Sequence, residues 1–197
     1  MLLFNSAVSG NCYKVRLIAA HLGIPLELRE LSVFDRSDRE EVLGGRNPAL
    51  RVPTLILDDG RPLAESNAIL CYLAEGSQYL PADRYERAQV LQWCFFEQYS
   101  VEPHIAVARF WKLAGISPSE EQGQEKQHWG RRALAALDGH LRDKRFLVGD
   151  RYSVADIALY AYTHVAPEGG FELNEYEAVR EWLTRVAAQP GHVPITA

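Results

Sequence analysis

Cysteine is scarce in this sequence. There are only three, Cys12, Cys71 and Cys94, and no two form a close CxxC pair. An odd count at such spacing argues against a disulfide framework and favours a reducing compartment, so a cytoplasmic location is expected. Long apolar runs are missing as well: none approaches the roughly 20 residues needed to span a bilayer. The opening Met1-Leu2-Leu3-Phe4-Asn5 lacks the basic start and apolar stretch of a signal peptide. Positive charge is in deficit. Lys plus Arg number 21 against 26 Asp plus Glu, a formal net charge of −5, and there is no polybasic cluster to meet nucleic-acid phosphates or anionic lipid. Neither nucleic acid nor a membrane is therefore expected as a partner. GxGxxG and GxxxxGK are absent, which removes the nucleotide fingerprints. No GxSxG elbow occurs. The six histidines include no HExxH or other close pair, so no metal is expected.

What remains is a globular composition, 47% hydrophobic and 24% charged over 197 residues, enough for one large domain or two small ones. The character of the chain changes near residue 78. Before it, short apolar runs alternate with turn signals. Leu2-Leu3-Phe4 reads as a short buried strand. A helix from about Asn11 carries Val15, Ile18, Ala19 and Leu22 on one face, with Gly23 suited to the left-handed cap and Pro25 preventing continuation. Leu26 to Leu31 alternates apolar and charged residues and predicts a strand with one wet face. A short polar helix is expected over 35–45. Val52 to Leu57, the turn Asp58-Asp59-Gly60 and Pro62-Leu63-Ala64 predict a hairpin. Glu65-Ser66 opens a helix that ends near Gly76.

After residue 78 the pattern is helical. Residues 84–114 predict one long helix bent near Pro103. Ser117-Pro118-Ser119-Glu120 reads as a capping box with proline at the first helical position, starting a helix that runs to about Leu141. Ser153-Val154-Ala155-Asp156 is a second box, with Asp in the Glu role and Tyr152 and Ile157 as its staple. A last helix is expected over about 175–188.

Three places in the first 80 residues could carry chemistry. Ser9-Gly10-Asn11-Cys12 lies between strand and helix, where unpaired N–H groups and the helix dipole favour negative charge. A thiolate held there would be stabilised, and a serine hydroxyl could donate to it. The alternative is that Ser9 or Asn11 merely caps the helix. At Val52-Pro53 a cis bond would turn the Val52 N–H and C=O outward to pair with a peptide-like ligand; an ordinary trans proline at a strand start is the alternative. At Glu65-Ser66 the Ser66 N–H and hydroxyl could bind a carboxylate and the Glu65 carboxylate an ammonium, together recognising an amino-acid head group. Helix capping is again the alternative.

These elements, in this order and with the Ser153–Asp156 box behind them, resemble the cytosolic glutathione transferases, bacterial members with a serine-type first loop. The likeness spans essentially the whole chain and rests on residues 9–17, Asn47-Pro48 with Val52-Pro53-Thr54-Leu55, residues 65–69 and residues 149–156; Tyr162-Thr163-His164-Val165 also looks like bacterial members. It implies an α+β protein: a thioredoxin-like N-terminal domain over 1–77 followed by an all-α helical domain over 84–197, in a homodimer. It implies that Val52, before a cis Pro53, pairs with the cysteinyl backbone of glutathione, that Glu65 and Ser66 hold the γ-glutamyl group, and that Arg51 lies near the glycyl carboxylate. Arg36 or Arg39 is a loose match for a further basic residue there. Asp156 positions a core helix.

The resemblance places Ser9 as the hydroxyl that activates the glutathione thiol, at the first-cysteine position of a thioredoxin-like CxxC, with Cys12 at the second. Ser9 cannot form a mixed disulfide, which favours thiolate activation over thiol-disulfide exchange. Ser6 and Asn11 are substitute donors. Cys12 is the rival, its own alternative being a small buried hydrophobe. The implied function is a detoxifying glutathione transferase acting on small hydrophobic electrophiles in an apolar cleft between domains, with His104, Ala108, Trp111 and His164 as candidate wall residues and core packing as the alternative for Trp111. Two rivals share the scaffold. One is a glutathione-dependent isomerase or dehalogenase; the zeta class has a Ser-Ser-Cys-Ser first loop, of which Ser9-Gly10-Asn11-Cys12 keeps only the first residue. The other is a non-catalytic binding or regulatory protein.

Overall fold

A computed structural model describes residues 1–197 as two compact units, one formed by Met1–Glu75 with Pro190–Ala197 and the other by Gly76–Gln189. The first unit is built on a four-stranded sheet in the order β2-β1-β3-β4. Its strands are β1 (Leu2–Asn5), β2 (Glu27–Glu30), β3 (Thr54–Ile56) and β4 (Pro62–Ala64). β1 runs parallel to β2 and antiparallel to β3, and β3 pairs antiparallel with β4. Parallel neighbours need a crossover, supplied by α1 (Gly10–Leu22). Both faces of β1 are covered: Phe4 packs with Leu31 and with Leu43 of α2 (Arg39–Leu43), while Leu3 and its cross-strand partner Leu55 are fully buried on the other face. That double coverage is why Leu2-Leu3-Phe4 is continuously apolar rather than alternating. α1 packs on α3 (Ser66–Ala74).

Several local signals act as expected. Gly23 adopts φ +64 and its N–H closes α1 onto Ala19 and Ala20. The hairpin turn carries Gly60 at φ +84. β2 departs from expectation, since all four of its residues are exposed; it is an edge strand, and burial falls instead on Leu31 just beyond it. α2 spans only Arg39–Leu43. The last eight residues, expected with the helical domain, join the first unit. Tyr13 donates its hydroxyl to Val193 C=O at 2.7 Å, Arg16 donates to Ile195 C=O at 2.5 Å, and His21 Nδ1 lies 2.9 Å from Pro190 C=O.

The second unit is helical: α4 (Arg84–Phe96), a π-helical stretch Glu97–Ala106, α5 (Val107–Leu113), α6 (Glu120–Leu141), α7 (Val154–Thr163), a 3₁₀ turn Ala166–Gly169 and α8 (Glu177–Ala187). The single long helix expected over 84–114 is thus interrupted. Pro103 has no N–H to donate and its ring crowds the carbonyl one turn earlier, and wider π turns accommodate both effects. α6 begins two residues later than expected: Ser119, not Ser117, is the cap, paired reciprocally with Gln122, and Pro118 precedes it. All of α7 is buried. Ser153 and Asp156 form the expected box at its start. α6 admits a close neighbour only because position 130 is glycine; a Cβ there would lie 2.3 Å from the Phe171 ring. No helix is long and apolar enough to cross a membrane.

Candidate functional site

The loop after β1 delivers Ser9 to the start of α1. Ser9 is the N-cap, its Oγ accepting the Cys12 N–H at 3.3 Å. Capping uses a lone pair of this oxygen, not its proton, so the same hydroxyl can also donate to a group arriving at the helix end. The loop is held from below by Arg16, which is buried and donates to Asn5 Oδ1 at 2.7 Å and to the carbonyls of Ser6 and Ala7.

Cys12 is fully buried. Burial pushes its thiol up to about 11, outweighing the opposing pull of the Ser9 hydroxyl, the Ser6 N–H and the Arg16 charge. So enclosed a thiol suits the alternative reading, a small core residue, rather than a reactive sulfur. Ser6, also buried, spends its N–H on Cys12 Sγ at 3.3 Å.

Asn11 faces the other way. Its Oδ1 accepts from Lys14 Nζ at 2.9 Å and from the Ser66 hydroxyl at 3.1 Å, so it ties the start of α1 to the start of α3. Lys14 Nζ also donates to Ser66 Oγ at 3.3 Å. Lys14 went unnoticed in the sequence. Its signal is a charged residue flanked by Tyr13 and Val15 in a stretch where every position is core.

Val52–Pro53 is cis. The loop before it is shaped by Asn47, buried, whose Nδ2 donates to Arg51 C=O and to Thr54 Oγ1, each at 2.9 Å; Thr54 Oγ1 in turn donates to Arg51 C=O. With the Arg51 carbonyl doubly held, the chain beyond it presents Val52, whose own N–H and C=O enter no hydrogen bond within the protein. A backbone donor and acceptor open on one residue are the terms on which an extended peptide pairs. The Arg51 side chain is exposed. Arg36 is exposed and Arg39 is buried, donating to Ser32 C=O.

Glu65 sits at the start of α3 with φ +67 and ψ 112, a backbone conformation that costs a non-glycine residue about 1–3 kcal/mol. Its carboxylate is exposed and makes no cap hydrogen bond, which sets aside the capping alternative for Glu65. The Ser66 N–H, first in α3, has no acceptor within the protein. The Ser66 hydroxyl, expected to be open to a ligand, is engaged by Asn11 and Lys14.

The helical unit has a cavity of about 620 Å³ bordered by Tyr99, Pro103, His104, Lys126, Trp129 and Arg132 among others. His104 stacks against Trp129 with ring centres 6.4 Å apart, and the Arg132 guanidinium lies over the same indole at 5.2 Å. Burial, and then the Lys126 charge, push the His104 imidazole down. Of the expected wall residues only His104 borders this cavity. Ala108 is buried in the helical core and Trp111 is half-buried; neither lines it. His164 stacks flat on Tyr160 with its Nδ1 2.7 Å from the Tyr160 carbonyl.

Comparison with known proteins bears on the family and the fold. Residues 8–75 match the family model for the glutathione S-transferase N-terminal domain, and residues 88–190 that for the C-terminal domain. A crystal structure of a glutathione S-transferase from Pseudomonas fluorescens is 46% identical, covers 100% of this chain and 98% of its own, and superposes with a TM-score of 0.96. Glutathione S-transferase 2 of Anopheles gambiae is 30% identical over 93% of this chain and 88% of its own length. Disulfide-bond oxidoreductase YfcG of Escherichia coli is 29% identical over 74% of this chain and 71% of its own length. With a thioredoxin-like N-terminal domain followed by an all-helical one, this chain belongs to the glutathione S-transferase family.

Proposed function

We propose that this protein is a glutathione transferase that activates the glutathione thiol for attack on small hydrophobic electrophiles. The carrying observation is the unpaired backbone of Val52, which offers the cysteinyl residue of glutathione one donor and one acceptor. The Ser66 N–H suits the γ-glutamyl α-carboxylate, and the exposed Glu65 carboxylate suits its ammonium. Arg51, exposed on the same loop, serves the glycyl carboxylate.

Glutathione held this way directs its sulfur to the start of α1. There the helix N-terminus favours negative charge and the Ser9 hydroxyl donates to the thiolate. A thiol of ordinary pKa, about 8.5, is only a few per cent ionised at pH 7, and each unit of lowering corresponds to about 1.36 kcal/mol of preferential thiolate stabilisation. The thiol proton leaves to solvent. The sulfur lone pair then forms a C–S bond while the electrophile's leaving group departs with its bonding pair. His104, which borders the cavity of the helical unit, is the candidate there for contact with the electrophile.

A homodimer is the proposed assembly. Leu91, Phe95 and Tyr99 recur every four residues along one side of α4 and the turn beyond it, and they are 39%, 69% and 85% exposed. An apolar stripe of that size is the mark of a covered surface.

The test is conjugation of glutathione to chlorodinitrobenzene by wild type and Ser9→Ala, with the thiolate of bound glutathione followed by its ultraviolet absorbance. Ser9→Ala should raise the pKa of the bound thiol and lower kcat. An unchanged thiol pKa removes Ser9 from the role. No binding heat at millimolar glutathione turns the reading to a non-catalytic module.

A further inference from the structure

The deepest charge in the first unit has no part in the scheme above. Lys14 is fully buried, and an ammonium taken out of water is tolerated only where its protons are engaged. Lys14 Nζ donates to Asn11 Oδ1 at 2.9 Å and to Ser66 Oγ at 3.3 Å, and the Ser66 hydroxyl donates its own proton to Asn11 Oδ1 at 3.1 Å. These contacts close a three-membered ring of ammonium, hydroxyl and amide oxygen linking the first turns of α1 and α3.

The ring has one movable member. Asn11 Oδ1 accepts twice, once from Lys14 and once from Ser66, so it keeps a charged donor if Ser66 turns away. Ser66 Oγ accepts from Lys14, which occupies a lone pair on the inner side and leaves the O–H proton as the part that can swing. The Ser66 N–H already lacks an acceptor. An anion arriving at the start of α3 would find that N–H ready and could draw the hydroxyl proton from Asn11. The buried ammonium behind the oxygen would polarise that hydroxyl toward the anion.

We infer that Lys14 is a positioning residue for ligand binding: through Ser66 it directs the hydroxyl proton and the field of a buried cation onto the α-carboxylate of the γ-glutamyl group. This rests on the reading of the site as a glutathione site. It assigns the selectivity for that carboxylate to a residue that never touches the ligand.

The experiment compares two peptides by titration calorimetry: glutathione, and 4-aminobutanoyl-cysteinylglycine, which keeps the amine and the thiol but lacks the α-carboxylate. Wild type should prefer glutathione by at least about tenfold, one hydrogen bond to a charged group being of that order. In Lys14→Met the preference should fall to within about twofold, through weaker glutathione binding with the decarboxylated peptide little changed. A merely structural loss weakens both peptides alike. Should Lys14→Met fail to fold, Lys14→Gln, whose amide keeps a donor to Asn11 without the charge, carries the same comparison. Retained preference in the folded variant overturns the role of Lys14 and leaves the glutathione site standing, as does a wild type that binds both peptides equally. A wild type that binds neither overturns both.

Discussion

Asp156 offers a sharp physical test of the helical unit. It is fully buried, with its folded-state pKa raised from 3.8 to about 6 chiefly by burial. Its Oδ1 accepts from the Leu147 N–H at 3.1 Å and the Trp182 indole N–H at 2.9 Å. Its Oδ2 accepts from the Ser153 N–H at 2.9 Å and the Ser153 hydroxyl at 3.1 Å. The four donors pull the pKa down, and desolvation outweighs them. A carboxyl whose pKa is raised on folding binds its proton more tightly in the native state. Its stabilising contribution is therefore complete below 3.8 and lost as pH rises through about 6. At 1.36 kcal/mol per unit the loss is about 3 kcal/mol. Asp156→Asn removes the titration and keeps an acceptor for Leu147 and Trp182, at the expense of the Ser153 N–H, about 1–3 kcal/mol when left buried and unmade. Urea unfolding of both proteins from about pH 3.5 to pH 7 isolates this group from every other carboxylate. The stability advantage of wild type over Asp156→Asn should shrink by about 3 kcal/mol across that range. An advantage that stays constant or grows with pH refutes the assignment.

Glu65→Gly should relieve the strain at φ +67 and raise stability by about 1 kcal/mol in thermal melts, while weakening glutathione in calorimetry through loss of the ammonium partner; a variant that is destabilised contradicts the strain. Cys12 should resist iodoacetamide in the folded protein and react only after denaturation, as mass mapping of the alkylated peptide would report; alkylation of native Cys12 contradicts its burial. Phe95→Glu should shift the protein from dimer to monomer in light scattering, and a wild type that is monomeric at micromolar concentration removes the proposed role of the α4 stripe.

Features set by one or two neighbouring residues could be read in the sequence. Gly23 closes α1 because only a residue without Cβ adopts its conformation cheaply, and Ser153 with Asp156 specifies the start of α7 from three residues apart. Features set by distant packing could not. The alternation of Leu26 to Leu31 promised a half-buried strand, but β2 lies at the sheet edge and exposes Leu28. Both Ser117 and Ser119 carry a partner residue three positions on, and local chemistry does not choose between them. Nothing in Val193 or Ile195 announces that Tyr13 and Arg16, some 180 residues earlier, will take their carbonyls.

The site divides in the same way. The Ser9, Val52 and Ser66 positions are visible because each sits at a boundary between elements, where backbone groups go unpaired. The capping and donating readings of Ser9 looked exclusive from the residue types alone, and geometry dissolves the choice: the oxygen caps with a lone pair and keeps its proton. Cys12, three residues on, occupies the same first turn, yet its side chain turns into the core while that of Ser9 stays at the helix mouth. A thiol there would serve exchange chemistry only if it could meet a disulfide. Buried, with its pKa pushed up to about 11, Cys12 is not placed to meet one, which is why the proposed chemistry assigns the reacting sulfur to the ligand.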